Sequence, residues 1–196
     1  MTSRSGSDRN REVTKYRIII AASGLVEDFS FGRLYYWFTE NFASEVVVVI
    51  PDECAELIIK CLPSNVNLFV HSQDWSSWRK IGDDVLHIRL VKWAHFMIVA
   101  PLTADTLAKI GNGLCDNLLT CIVRAWDFQK KIYIAPALTI PMWKNPTTSA
   151  QIDKIKTIGF DVIIPEEGEE SDLGDVGVAE PEDIYERVIS TIHALN

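Results

Sequence analysis

Six short runs rich in β-branched residues recur along the chain, each apolar almost without interruption: RIIIAA (17–22), EVVVVI (45–50), VNLFV (66–70), FMIVA (96–100), KIYIA (131–135) and FDVII (160–164). A strand with one face in water alternates apolar and polar residues. A strand covered on both faces does not, and these runs read as the second kind. Helical patterns near 30–42, 52–60, 85–94, 104–125, 148–158 and 181–195 separate and follow them. Strands joined through helices pair in parallel, with right-handed crossovers, and the helices cover both faces of the sheet.

The expected architecture is therefore a single-domain α/β fold, a flavodoxin-like or Rossmann-like doubly wound parallel sheet over residues 16–196. In such a sheet ligands sit beyond the carboxyl ends of the strands, near the point where strand order reverses. The clearest helical pattern is ADTLAKIGNGLCDNLLTCIVRAW. Leu107, Ile110, Leu114, Leu118 and Ile122 recur there at spacings of three and four, which predicts one helix over 104–125 with one apolar stripe. Thr103 or Asp105 can cap it. Pro181 suits the first turn of the last helix, whose apolar face is Ile184, Val188, Ile192 and Leu195. Residues 1–15 read as a disordered polar leader without the apolar core of a secretory signal. The acidic, Gly-containing stretch over 165–180 reads as a mobile loop.

Lys and Arg total 19 against 27 Asp and Glu, a formal charge of −8. Phosphate backbones and anionic lipid need clustered cations, so nucleic-acid and membrane-surface partners are not expected. No apolar run is long enough to span a bilayer, and a cytoplasmic protein is expected. The four cysteines, Cys54, Cys61, Cys115 and Cys121, form no CxxC pair. They read as mostly buried thiols, with no metal site. Nucleophile elbows, Walker loops and HExxH are absent.

Three strand ends carry candidate chemistry. After the first run, Gly24 in AASGLVED sits where a tight turn lets backbone N–H groups approach a phosphate, although Glu27 and Asp28 follow closely; an ordinary β–α turn reads equally well. After the fourth, Thr103, Asp105 and Thr106 surround a helix N-terminus, as a phosphate cradle or as plain capping. After the fifth, IAPALTIPMW places Pro136, Pro141 and Trp143 around a segment that could support a flat heterocycle or simply fold under its own aromatic ring. His87, between Leu86 and Ile88, reads on its own as a structural histidine.

The stretch DWSSWRKIGDDVLHIRLVKWAHFMIVAPLTADTLAKIGNGLCDNLLTCIVRAWD, then IAPALTIPMWKNP, then AEP before the last helix, resembles the homo-oligomeric flavin-containing cysteine decarboxylases. Within them it is most similar to the eukaryotic, particularly plant, phosphopantothenoylcysteine decarboxylases. The resemblance implies FMN bound at subunit contacts of a homotrimer, or of a heterotrimer with an intact paralogue. It implies oxidation of the cysteinyl thiol of 4′-phosphopantothenoylcysteine, loss of carbon dioxide and reduction to 4′-phosphopantetheine for coenzyme A. His87 falls on the family's proton-handling histidine. Gly24, Leu25, Val26, Asp52, Thr103, Ala104, Asp105, Thr106 and Ala137 fall on the cofactor shell, and Thr139 on the substrate-carboxylate position.

The departures are specific. The family's first loop resembles GSVAAxK, where this chain has GLVEDFS; Pro51, Asp52 and Glu53 replace Ser or Thr after the second strand. The family's PxMN asparagine is Thr139 here, and the flap cysteine before Gly-Asp is Leu173. The flap's lysines have become Glu166, Glu167, Glu169 and Glu170. Two readings follow: a decarboxylase, incomplete as a homomer and lending His87 to a mixed trimer, or a catalytically impaired regulatory or binding paralogue on the same scaffold. The fungal relatives that inhibit a type 1 protein phosphatase illustrate the second, but they carry extensions that this chain lacks.

Overall fold

A computed structural model describes residues 15–25, 29–42, 44–76, 78–165 and 176–195. The six expected strands form one parallel sheet: β1 (Tyr16–Ala21), β2 (Ser44–Ile50), β3 (Asn67–Val70), β4 (Phe96–Leu102), β5 (Ile132–Pro136) and β7 (Phe160–Val162). Their spatial order is β3-β2-β1-β4-β5-β7. The chain winds outward from β1 through β2 to β3, crosses back to β4 beside β1, and winds outward again. The order thus reverses between β1 and β4, which pair from Ile18 with Phe96 to Ala21 with Val99.

The apolar runs are continuous because alternate residues enter different cores. Ile18, Ile20, Val46, Val48, Ile98 and Tyr133 pack on one face with α1 (Phe31–Glu40), α2 (Ala55–Ile59) and α9 (Pro181–Leu195). Ile19, Val47, Val49, Met97, Val99 and Ile134 pack on the other with α4 (Leu86–Trp93), α5 (Ala104–Asn112), α6 (Leu118–Arg124) and α8 (Pro146–Ile158). Short elements fill the connections: a 3-10 turn at Asp52–Cys54, α3 (Gln73–Ser76), and α7 (Ile140–Trp143). No described helix is long and apolar enough to cross a membrane.

Two sequence expectations need correction. The helix expected over 104–125 is two helices. Gly113 adopts φ 72°, a left-handed conformation that ends α5, and its N–H bonds to the Ile110 carbonyl. Only glycine takes this geometry without strain. Asn117 then opens α6 with a capping box: its side chain accepts from Thr120 N at 3.0 Å, and Thr120 Oγ1 accepts from Asn117 N at 3.1 Å. The periodicity survived the break because the two helices present matching apolar faces, but Leu114, within the break, is exposed. Second, the stretch expected as a loop over 165–180 contains a strand, β8 (Val176–Gly177), antiparallel to β6 (Leu138–Thr139). Two-residue strands carry too little pattern to be read from sequence. The polar leader (1–14), Val26, and residues 166–175 with Leu173 and the flap glutamates lie outside the described residues.

Candidate active site

Where β1 and β4 meet, two loops are tied together at the carboxyl edge of the sheet. Ser23 N donates to the Pro101 carbonyl at 3.1 Å, and Thr103 N donates to Ser23 Oγ at 2.8 Å. Thr103 caps α5: its Oγ1 accepts from Thr106 N at 3.4 Å and lies 3.2 Å from both Ser23 Oγ and Thr106 Oγ1. Three hydroxyls and a nine-residue helix N-terminus thus converge on one point, with the positive end of the helix dipole behind them. Gly24 is required by this closeness. A Cβ there would stand 2.7 Å from Thr103 Cγ2, inside van der Waals contact.

The remaining expected cofactor residues surround this point unevenly. Ala104 begins α5, and Ala137 is buried on the neighbouring strand exit, its N–H donating to the Leu102 carbonyl at 2.9 Å. Asp105 is drawn along the helix by Lys109, whose Nζ lies 3.1 Å from its carboxylate. Leu25 is exposed. Asp52, at the end of β2, is engaged elsewhere: its carboxylate accepts from the backbone N–H (3.0 Å) and the hydroxyl of Ser72. Those bonds, the hydroxyl's first, hold the Asp52 carboxyl below its usual range. Thr139 is half-buried, precedes α7, and makes no side-chain cap bond to it.

His87 stands in a second group. It lies in the first turn of α4, which leads directly into β4. A helix feeding a parallel strand runs opposite to it, so His87 also sits at the carboxyl edge. Its Nδ1 is 3.0 and 2.9 Å from the two carboxylate oxygens of Asp74, and its backbone N–H donates to Asp74 Oδ1 at 3.2 Å. Asp74, on α3, is only 2% exposed. Cys121 on α6 completes the cluster: His87, Asp74 and Cys121 each present a potential ligand atom within 4.8 Å of the others. His87 lines two cavities. One, of about 360 Å³, is walled by Trp75, Trp78, Val85 and Ile88; the other, of about 230 Å³, by Cys115, Cys121 and Arg124.

Residues 6–193 match the family described as Flavoprotein. The chain belongs to the flavoprotein family. Its relatives include a probable phosphopantothenoylcysteine decarboxylase of Arabidopsis thaliana, 46% identical over 89% of this chain and 87% of the relative. Another is the phosphopantothenoylcysteine decarboxylase of the same plant, 43% identical over 94% of this chain and 89% of the relative. Among solved structures, a mutant PPC decarboxylase complexed with pantothenoylaminoethenethiol superposes with TM-score 0.82 at 42% identity, covering 91% of this chain and 99% of that one. An FMN binding protein superposes equally well, at 42% identity over 92% and 98% of the two chains.

Within this flavoprotein fold, Gly24, Thr103, Ala104, Asp105, Thr106 and Ala137 come to one strand-end region, while Asp52 bonds to the β3 exit and His87 to α3. Sequence reasoning missed Asp74 and Cys121. They reach His87 from two other elements, 13 residues before it and 34 after, so no periodic spacing or motif marks them.

Burial, more than the neighbouring Asp74 charge, pushes the Cys121 thiol up to about 12. The folded chain therefore keeps this proton when the unfolded chain releases its own near pH 9. Stability from the neutral thiol is complete below that pH and is lost progressively between about 9 and 12. The wild-type urea midpoint is expected to fall over this window more steeply than that of Cys121→Ala. Parallel curves would contradict the assignment. A thiol reagent at pH 8 should leave Cys121 unmodified in the native state.

Proposed function

We propose that this chain is an FMN-dependent phosphopantothenoylcysteine decarboxylase, converting 4′-phosphopantothenoylcysteine to 4′-phosphopantetheine for coenzyme A synthesis in the cytoplasm. The observation that carries this reading is His87, an imidazole held by a buried carboxylate and opening onto a tryptophan-walled cavity. It supplies a fixed proton-transfer group beside an apolar space at the sheet's carboxyl edge.

The strand ends of β1 and β4 fit FMN. The hydroxyls of Ser23, Thr103 and Thr106 and the α5 N-terminus suit a phosphate, and the missing side chain at Gly24 lets the backbone approach it. Lys109 pairs with the Asp105 carboxylate at 3.1 Å, which offsets part of that negative charge beside the cradle. Ala104 and Ala137 leave room for a flat ring, with Leu25 and Asp52 as its outer neighbours. When bound, FMN supplies the two-electron exchange with the cysteinyl thiol that makes decarboxylation possible. Thr139 takes the substrate carboxylate through one hydroxyl where an asparagine would offer an amide. The wild-type protein should purify yellow, and Gly24→Val, which drives a branched side chain into Thr103, should lose most of the flavin absorbance. Equal flavin content in both would overturn the cradle assignment.

The faces around His87 call for a partner. Trp75 is 67% exposed and Ile81 93%, with Trp78 and Ile88 beside them in exposure, in a segment flanking the cavity. Large apolar side chains left in water at this density favour association. We assign this face to a homotrimer, or a heterotrimer with an intact paralogue, in which His87 serves substrate bound across the subunit boundary. A regulatory, catalytically impaired role is the second reading, favoured by Thr139 and by Leu173 at the positions where the family has asparagine and cysteine.

A further inference from the structure

We infer that Asp74 is the positioning residue of the His87 proton-transfer group: its carboxylate caps α4 from outside and fixes the imidazole with the proton on Nδ1 and Nε2 free for the reaction. The inference rests on the catalytic reading of His87, but its geometry does not.

Helix α4 begins without a local cap. Its N-cap residue is Val85, which has no side-chain acceptor, so the first-turn N–H groups need one from elsewhere. Asp74, from α3, takes the His87 backbone N–H at 3.2 Å with Oδ1. The same carboxylate reaches Nδ1 of the same residue with both oxygens, at 3.0 and 2.9 Å. One buried group therefore holds His87 at its backbone and at its ring, which restricts its side-chain torsions.

The tautomer follows from donor–acceptor logic. A carboxylate can only accept, so Nδ1 must carry the hydrogen in this contact. In the neutral ring Nε2 is then the bare nitrogen, and it alone can take a substrate proton. The third member of the cluster supports this arrangement. The Cys121 thiol donates to the Cys115 carbonyl at 3.6 Å, and burial, with the nearby Asp74 charge, keeps it protonated, so it does not compete as a base. A negative charge at 2% exposure is costly alone; the His87 donors, together with the dipole of α4, offset that cost.

Long-range ¹H–¹⁵N spectra of the full-length flavin-loaded protein read the tautomer directly. With four histidines in the chain, the His87 signal is assigned as the one missing in His87→Gln. The expected wild-type result is the Nδ1–H form. Asp74→Asn, whose amide can donate as well as accept, should shift the signal toward the Nε2–H form. It should lower kcat at least about tenfold, with KM within about twofold, because the ring is still present but wrongly protonated. Asp74→Glu, which keeps the acceptor, should recover part of kcat.

An Nε2–H ring in the wild-type protein overturns the proposal without any variant. So does an Asp74→Asn protein that folds with unchanged tautomer and kcat. If His87→Gln is fully active while the wild-type tautomer is Nδ1–H, the positioning geometry stands and the catalytic reading of His87 falls. The two failures are therefore distinguishable.

Discussion

Replacing His87 with glutamine is expected to lower the rate of carbon dioxide release from 4′-phosphopantothenoylcysteine by a factor on the order of 10²–10⁴, the usual worth of a positioned general acid–base group. Flavin content and assembly should not change. Glutamine approximates the imidazole in size, and its side-chain amide can still donate toward Asp74, so the α4 cap and the buried carboxylate keep a partner. What is lost is a ring nitrogen that can both take and give a proton. His87 is about four-fifths buried, its side chain 19% exposed, so water has limited access to replace it. Rates measured at saturating substrate separate this from weaker binding: the fall should lie in kcat.

The second large effect concerns the end of the reaction. The family resemblance puts Thr139 and Leu173 at the positions of an asparagine and a flap cysteine. A threonine hydroxyl offers one donor to a carboxylate, and a leucine cannot deliver a proton. The homomer is therefore expected to release carbon dioxide slowly and, in air, to accumulate the oxidised enethiol. Thr139→Asn combined with Leu173→Cys should raise formation of 4′-phosphopantetheine at least about tenfold, equivalent to roughly 1.4 kcal/mol of transition-state stabilisation. Thr139 is half-buried within the two-stranded β6–β8 ladder, and its side chain makes no cap bond, so an asparagine there removes no such contact. Unchanged product from the double variant would show that these positions do not limit the homomer.

The sheet was legible because each strand is buried on both faces, and burial writes itself into sequence as an unbroken run. Ile18–Ala21 and Val46–Ile50 could hardly be read otherwise. The single helix expected over 104–125 failed for a local reason. Its apolar spacing fits two helices as well as one, and the left-handed Gly113 and the Asn117 cap, both visible as residues, decide between them. The strand-end hydroxyls at Thr103 and Thr106 were legible as helix-start chemistry. Their approach to Ser23 was not, because it depends on β1 and β4 becoming neighbours, 80 residues apart. His87 read as structural from its own surroundings and gained a role only by family resemblance. The Asp74 carboxylate that gives this role a physical basis comes from a separate short helix, which no periodicity announced.

The most direct test of the decarboxylase reading is to incubate the flavin-loaded homomer with 4′-phosphopantothenoylcysteine labelled at the cysteinyl carboxylate, and to follow labelled carbon dioxide together with the mass of the remaining product. Flavin-dependent release of the label is expected, slowed by a factor on the order of 10²–10⁴ in His87→Gln, with a product lacking two hydrogens relative to 4′-phosphopantetheine. No release of label from yellow, folded protein, alone or mixed with an intact paralogue, would contradict it.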